Sequence, residues 1–123
     1  MKIAIDVDST IVFNQYPYFG DSVPNVEKVL KRIITAGHEI IILTMRDGRL
    51  LDDAVEWFLK NSIPVKYINC NPEFETGSRK VYANLYIDDH NLGIPLIHNY
   101  EVHPKPFVDW LAVEKILEAK GYL

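Results

Sequence analysis

Asp6 and Asp8 stand one residue apart where the first apolar run, Lys2-Ile3-Ala4-Ile5, gives way to Asp6-Val7-Asp8-Ser9-Thr10. Two like charges this close are costly unless a cation lies between them or one carboxyl keeps a proton. The pair therefore asks for a metal ion, a shared proton, or both. Two later apolar runs end in the same way: Ile40-Ile41-Ile42-Leu43 in Thr44, and Leu85-Tyr86-Ile87 in Asp88 and Asp89. Oxygen ligands of high charge suit a hard cation, with Mg2+ the natural candidate. A Mg2+ held by few carboxylates keeps positions for water and for a phosphate oxygen. A phosphate also needs donors, and Thr44, the amides after Asp6 and a lysine such as Lys80 are the candidates. Taken singly, Asp8-Ser9-Thr10 reads equally well as a turn or a helix cap, and Lys80 as a solvated surface lysine.

These groups meet only if their elements bring them to one edge. Apolar runs predict strands over residues 2–7, 38–43, 65–69 and 84–87, with a short one over 94–97 near an edge because Pro95 lies within it. Helical spacing of Val26, Val29, Leu30, Ile33 and Ile34 predicts a helix over 25–36, with Pro24 at its start and Gly37 at its stop. A second helix is predicted over 50–61, with Leu51, Ala54, Val55, Phe58 and Leu59 inward and Asp52 and Asp53 on the solvated side. A third is predicted over 107–120, ended by Gly121. Residues 74–82 read as a loop with a short helix. Strands alternating with helices predict a mainly parallel sheet covered on both faces, a Rossmann-like three-layer α/β sandwich. In such a sheet the strand ends carrying Asp6, Asp8, Thr44, Asp88 and Asp89 share one edge, where ligands bind.

A chain of 123 residues with 48% apolar content fits one domain spanning residues 1–123. No stretch has the apolar length of a membrane span, and the N-terminus lacks the pattern of a signal peptide. The single cysteine, Cys70, reads as a small buried apolar residue, and one thiol fits a reducing, cytoplasmic setting. The formal charge of −4 argues against a broad nucleic-acid binder but not against a nucleotide or a nucleic-acid end.

The order of these motifs resembles the haloacid dehalogenase (HAD) superfamily. Asp6-Val7-Asp8-Ser9-Thr10 is similar to its Asp-x-Asp-x-Thr motif, with Ser9 in place of the commoner Gly. Ile41-Ile42-Leu43-Thr44 resembles the second motif and Ile87-Asp88-Asp89 the fourth, while Lys80, with Arg79 as its rival, is the best fit to the third. Thr44-Met45-Arg46 looks like the Thr-x-Arg pattern of small phosphatases in this superfamily, among them nucleotidases and the phosphatase part of polynucleotide kinase. Arg46 is then either a phosphate or substrate contact or a surface arginine near a turn.

The resemblance implies a HAD-like core and a phosphomonoester hydrolase. Asp6 would be the nucleophile and Asp8 the acid/base, the member of the pair that carries the proton. Mg2+ would sit on Asp6, the backbone carbonyl of Asp8 and Asp88, with Asp89 further out. Thr44 and Lys80 would hold phosphoryl oxygens, with Ser9, Thr10 and Arg46 as further substrate contacts. Residues 11–23 are a short flap and 47–79 are taken up by the core, so no cap domain is expected. An open site favours a bulky substrate, or closure by another subunit in a homo-oligomer. The expected partner is a phosphorylated small molecule or a nucleotide, for which the aromatic-rich flap segment 13–20 offers stacking rings or simply self-packing. Retention of the site as a non-catalytic metal–phosphate binding domain is the competing reading.

Overall fold

Parallel pairing of the apolar runs builds the centre of the computed structural model, which describes residues 1–74 and 76–123. In chain order the elements are β1 (Lys2–Ile5), β2 (Val12–Gln15), β3 (Tyr18–Ser22), α1 (Val26–Thr35), β4 (Glu39–Ile42) and α2 (Gly48–Lys60). They continue with β5 (Tyr67–Ile68), a single 3-10 turn at Pro72–Phe74, β6 (Leu85–Ile87), β7 (Leu96–Ile97), β8 (Phe107–Val108) and α3 (Trp110–Ala119). The central sheet has the order β5-β4-β1-β6 with every pair parallel. Two antiparallel ribbons, β2–β3 and β7–β8, stand apart from it. The domain is thus a three-helix α/β unit with a parallel core sheet, broadly Rossmann-like.

Alternation along the strands divides the sheet's two faces. Ile3, Ile5, Ile40 and Ile42 join the large core with Val29, Leu30 and Ile33 of α1, Ala54, Trp57 and Phe58 of α2, and Trp110, Val113 and Leu117 of α3. Ala4 and Ile41 instead meet Ala83, with Leu43, Tyr67, Val81 and Tyr86 around them. Helices on both faces were the expectation. All three helices contribute to one core, and the second face is covered by the irregular segment before β6. Each fully buried Leu, Ile or Val stabilises the fold by about 1.5–3 kcal/mol.

Boundaries shifted where local chemistry outweighed periodicity. Gly37, at φ 92°, ends α1 in a left-handed turn that glycine adopts without strain. The third helix begins at Trp110 rather than 107, because Asp109 caps it by accepting from the Ala112 N–H at 3.1 Å. Phe107 and Val108 form β8, and the predicted strand at 94–97 pairs with β8 rather than joining the sheet. In α2, Trp57 is buried and Leu59 is 74% exposed, so the inward face is rotated from the predicted one. Cys70 is exposed, correcting its reading as a core residue. The predicted loop and short helix at 74–82 includes residue 75, which lies outside the described residues. Elsewhere in that stretch no α-helix forms. Among the described residues no helix is long and apolar enough to cross a membrane.

Candidate functional site

Because β1, β4 and β6 run parallel, Asp6, Thr44 and Asp88 leave the sheet at one edge. Asp6 follows β1, and its N–H donates to the Ile87 carbonyl of β6 at 3.0 Å, which draws the start of one acidic turn beside the other. The Thr10 hydroxyl, wholly buried, lies 3.3 Å from an Asp6 oxygen and 3.5 Å from an Asp89 oxygen, and it accepts from the Asp89 N–H at 3.2 Å. Burial, then the charge of Asp88 and a hydrogen bond to Asp89, push the Asp6 carboxyl up to about 8. Burial also raises Asp89, while its bond to Asp6 acts in the opposite direction.

Asp8 has a different environment. Arg46 grips it in bidentate fashion, Nε and Nη2 each donating at 2.8 Å to one carboxylate oxygen. Sequence reasoning offered Arg46 as a substrate contact or a surface arginine. It is no surface arginine: its side chain is 1% exposed, and it also donates to the carbonyls of Tyr18 and Leu50. Its hydrogen bonds to Asp8 raise its pKa further above the usual arginine value despite the burial. Asp6 and Asp8 thus sit in different surroundings, Asp6 beside other carboxylates and Asp8 in a buried ion pair.

Thr44 accepts from the Arg46 N–H at 3.1 Å, and its own N–H donates to the Asn69 side chain at 2.8 Å, leaving the hydroxyl hydrogen without an acceptor among the described residues. Ser9 is nearly buried at φ 60°, the left-handed region that glycine occupies most easily, which rationalises the Gly usual at this place in the motif it resembles. Thr10 ties Asp6 to Asp89. Of the amides after Asp6, those of Ser9, Thr10, Ile11 and Val12 all donate to backbone carbonyls, so most are not free for phosphate. Lys80 and Arg79 are exposed, with no side-chain bond to the acidic groups among the described residues. Lys80 lines a groove of about 760 Å3 along the outer side of β6, together with Ile87 and Asn91.

Asp88, Asp89 and His90 present ligand atoms within 4.8 Å of one another, the two carboxylates half-buried and the imidazole exposed. His90 Nε2 lies 3.4 Å from Asp89. This histidine follows the acidic pair directly in sequence. The donor set fits a divalent cation: Asp88 and Asp89 offer half-buried carboxylate oxygens, Asp6 lies within hydrogen-bonding reach of Asp89, and a cation would relieve the crowding of like charges. Oxygen dominates the set, as Mg2+ prefers, whereas His90 also suits a softer ion.

No protein-family model matches the chain, and no curated protein does. A solved structure described as that of a conserved protein coded by a locus from Bacteroides thetaiotaomicron matches it with 34% identity and a TM-score of 0.80, over 98% of this chain and 91% of that one. This chain belongs to the family of that conserved protein.

Two of those supports were invisible in the sequence. The Trp110 indole N–H, at the start of α3, donates to the Thr10 carbonyl at 2.7 Å in a fully buried bond. The Val108 N–H of β8 donates to the Ser9 carbonyl at 3.0 Å. Together they clamp the turn carrying Asp8, Ser9 and Thr10, which gives the C-terminal segment a role that its helical pattern alone did not reveal. Phe13 of the flap stacks on His103 at 5.1 Å and meets Phe107 edge-on at 5.0 Å. That ring packs on its own protein, while Tyr16 and Tyr18 are 57% and 75% exposed.

Proposed function

We propose that the protein is a Mg2+-dependent phosphomonoester hydrolase of HAD type, acting through an aspartyl-phosphate on Asp6. The observation that carries this reading is the meeting of Asp6 and Asp89 at the Thr10 hydroxyl, with Asp88 next to Asp89 and its charge acting on Asp6.

A carboxylate oxygen of Asp6, once deprotonated, attacks phosphorus while the bond to the leaving oxygen breaks. Asp8, after taking up a proton from solvent through its exposed edge, gives that proton to the leaving oxygen, and then takes a proton from the water that attacks the Asp6-bound phosphorus. That second attack breaks the Asp6–phosphorus linkage and releases phosphate. Asp6, the Asp8 carbonyl, Asp88 and, further out, Asp89 would hold the metal, with His90 beside them. Bound Mg2+ would neutralise the carboxylates and the phosphoryl oxygens. The Thr44 hydroxyl donates to a phosphoryl oxygen, and Lys80 approaches from the β6 side. The exposed rings of Tyr16 and Tyr18 favour a nucleotide or another ring-bearing phosphate among the substrates.

The test is phosphate release from a panel of aryl, sugar, amino-acid and nucleotide monoesters with Mg2+ or with chelator. Mg2+-dependent release by the native protein and none by Asp6→Asn is the expected outcome. A folded native protein that binds Mg2+ and phosphate yet turns over nothing would instead make it a binding domain.

A further inference from the structure

We propose that Arg46 is a positioning residue that aims the Asp8 carboxylate and ties it to the β2–β3 flap, an inference that rests on the hydrolase reading of the site. Arg46 is among the largest wholly buried side chains of the domain, and it is the charged one. Four of its five N–H donors are committed: two to Asp8, one to the Tyr18 carbonyl at 2.9 Å and one to the Leu50 carbonyl at 3.3 Å. The rings of Tyr16 and Phe19 lie 5.3 Å from the guanidinium carbon. One planar group thus joins the acidic turn after β1, the flap, and the first turn of α2.

A carboxylate offers about four lone-pair sites, and the guanidinium takes two. The remaining two lie in a plane that the guanidinium fixes, and the Asp8 side chain is 19% exposed, so a proton can still reach it. Arg46 therefore sets the direction from which Asp8 gives and takes that proton. Since the same Nη2 holds both Asp8 and Tyr18, a flap displaced from Arg46 also frees Asp8 to turn. Lysine cannot replace this arrangement, because an ammonium has no planar fork.

The experiment compares native protein, Arg46→Lys and Arg46→Ala on a phosphate monoester that the native protein hydrolyses. Thermal melts select folded variants, and amide exchange is followed across residues 12–22. Arg46→Lys is expected to lower kcat by about 10- to 100-fold with KM nearly unchanged, as a misaimed group does. Amide exchange in the flap is expected to quicken. Guanidinium at low, non-denaturing concentration is expected to restore part of kcat to Arg46→Ala, and methylammonium is not. A kcat for Arg46→Lys equal to the native value, or a raised KM with kcat intact, overturns the proposal, the second by making Arg46 a substrate contact. Should both variants fail to fold, Asp8→Asn reads the same tie from its other end: quicker flap exchange supports it and unchanged exchange overturns it. A native protein inert on every ester refutes the hydrolase reading and the inference with it, whereas an active native protein with an unimpaired Arg46→Lys refutes the inference alone.

Discussion

Replacing Asp6 with Asn should stabilise the metal-free protein, and increasingly so as the pH rises. The Asp6 carboxyl titrates near 8 in the folded chain against an ordinary value of 3.8. Between those limits the folded state keeps a proton that the unfolded chain has released, so the folded state binds more protons and loses stability as pH increases. Asparagine carries no such proton and keeps an acceptor for the Thr10 hydroxyl. The stability gap between Asp6→Asn and native protein should therefore open from near zero at about pH 4 to its full size by about pH 9. Its ceiling is about 6 kcal/mol, from the interval between the two titration points. Solvent reaches the site from the sheet edge and relaxes part of that cost, so about 2–3 kcal/mol is the expected gap. Urea denaturation in chelator at about pH 5 and about pH 9 measures it, and Mg2+ added at the higher pH should stabilise the native protein but not Asp6→Asn. A gap that stays constant with pH would refute the claim that buried like charges strain Asp6.

Other changes probe the supports. Thr10→Val leaves the Asp89 N–H without its 3.2 Å partner and should cost about 1–3 kcal/mol in urea denaturation. It should also weaken Mg2+ binding by about tenfold in calorimetry. Trp110→Phe removes the only side-chain donor to the Thr10 carbonyl among the described residues and should cost about 1–3 kcal/mol while lowering turnover, read by melts and initial rates. Gly20→Ala would place its Cβ 2.2 Å from the Phe13 carbonyl oxygen across the flap ribbon, and should cost about 1–3 kcal/mol and speed amide exchange in residues 12–22.

The parallel sheet and its acidic edge were legible in the sequence because apolar runs ending in Asp6, Thr44 and Asp88 are local signals. Helix α1 was legible for the same reason: its buried residues repeat at helical spacing and Gly37 stops it. What escaped was long-range. Nothing near Trp110 in sequence tells that its indole reaches Thr10, one hundred residues away. Arg46 was noticed as part of a local pattern, but its partner Asp8 lies in another element, and only the fold shows that the charge faces inward. The start of α3 was misplaced because Phe107 fits the helical face equally well, while pairing of Leu96 with Val108 decides for a strand. Helices on both faces were inferred from alternation alone, which does not reveal that the segment before β6 covers one face without a helix.

The central claim is that Asp6 becomes covalently phosphorylated. Protein quenched in acid during turnover of a monoester with Mg2+, then digested and weighed by mass spectrometry, tests it most directly. One phosphoryl group is expected on the peptide that carries Asp6, lost on treatment with hydroxylamine and missing from Asp6→Asn. Sustained turnover by Asp6→Asn, or a phosphoryl group on another residue, would contradict it.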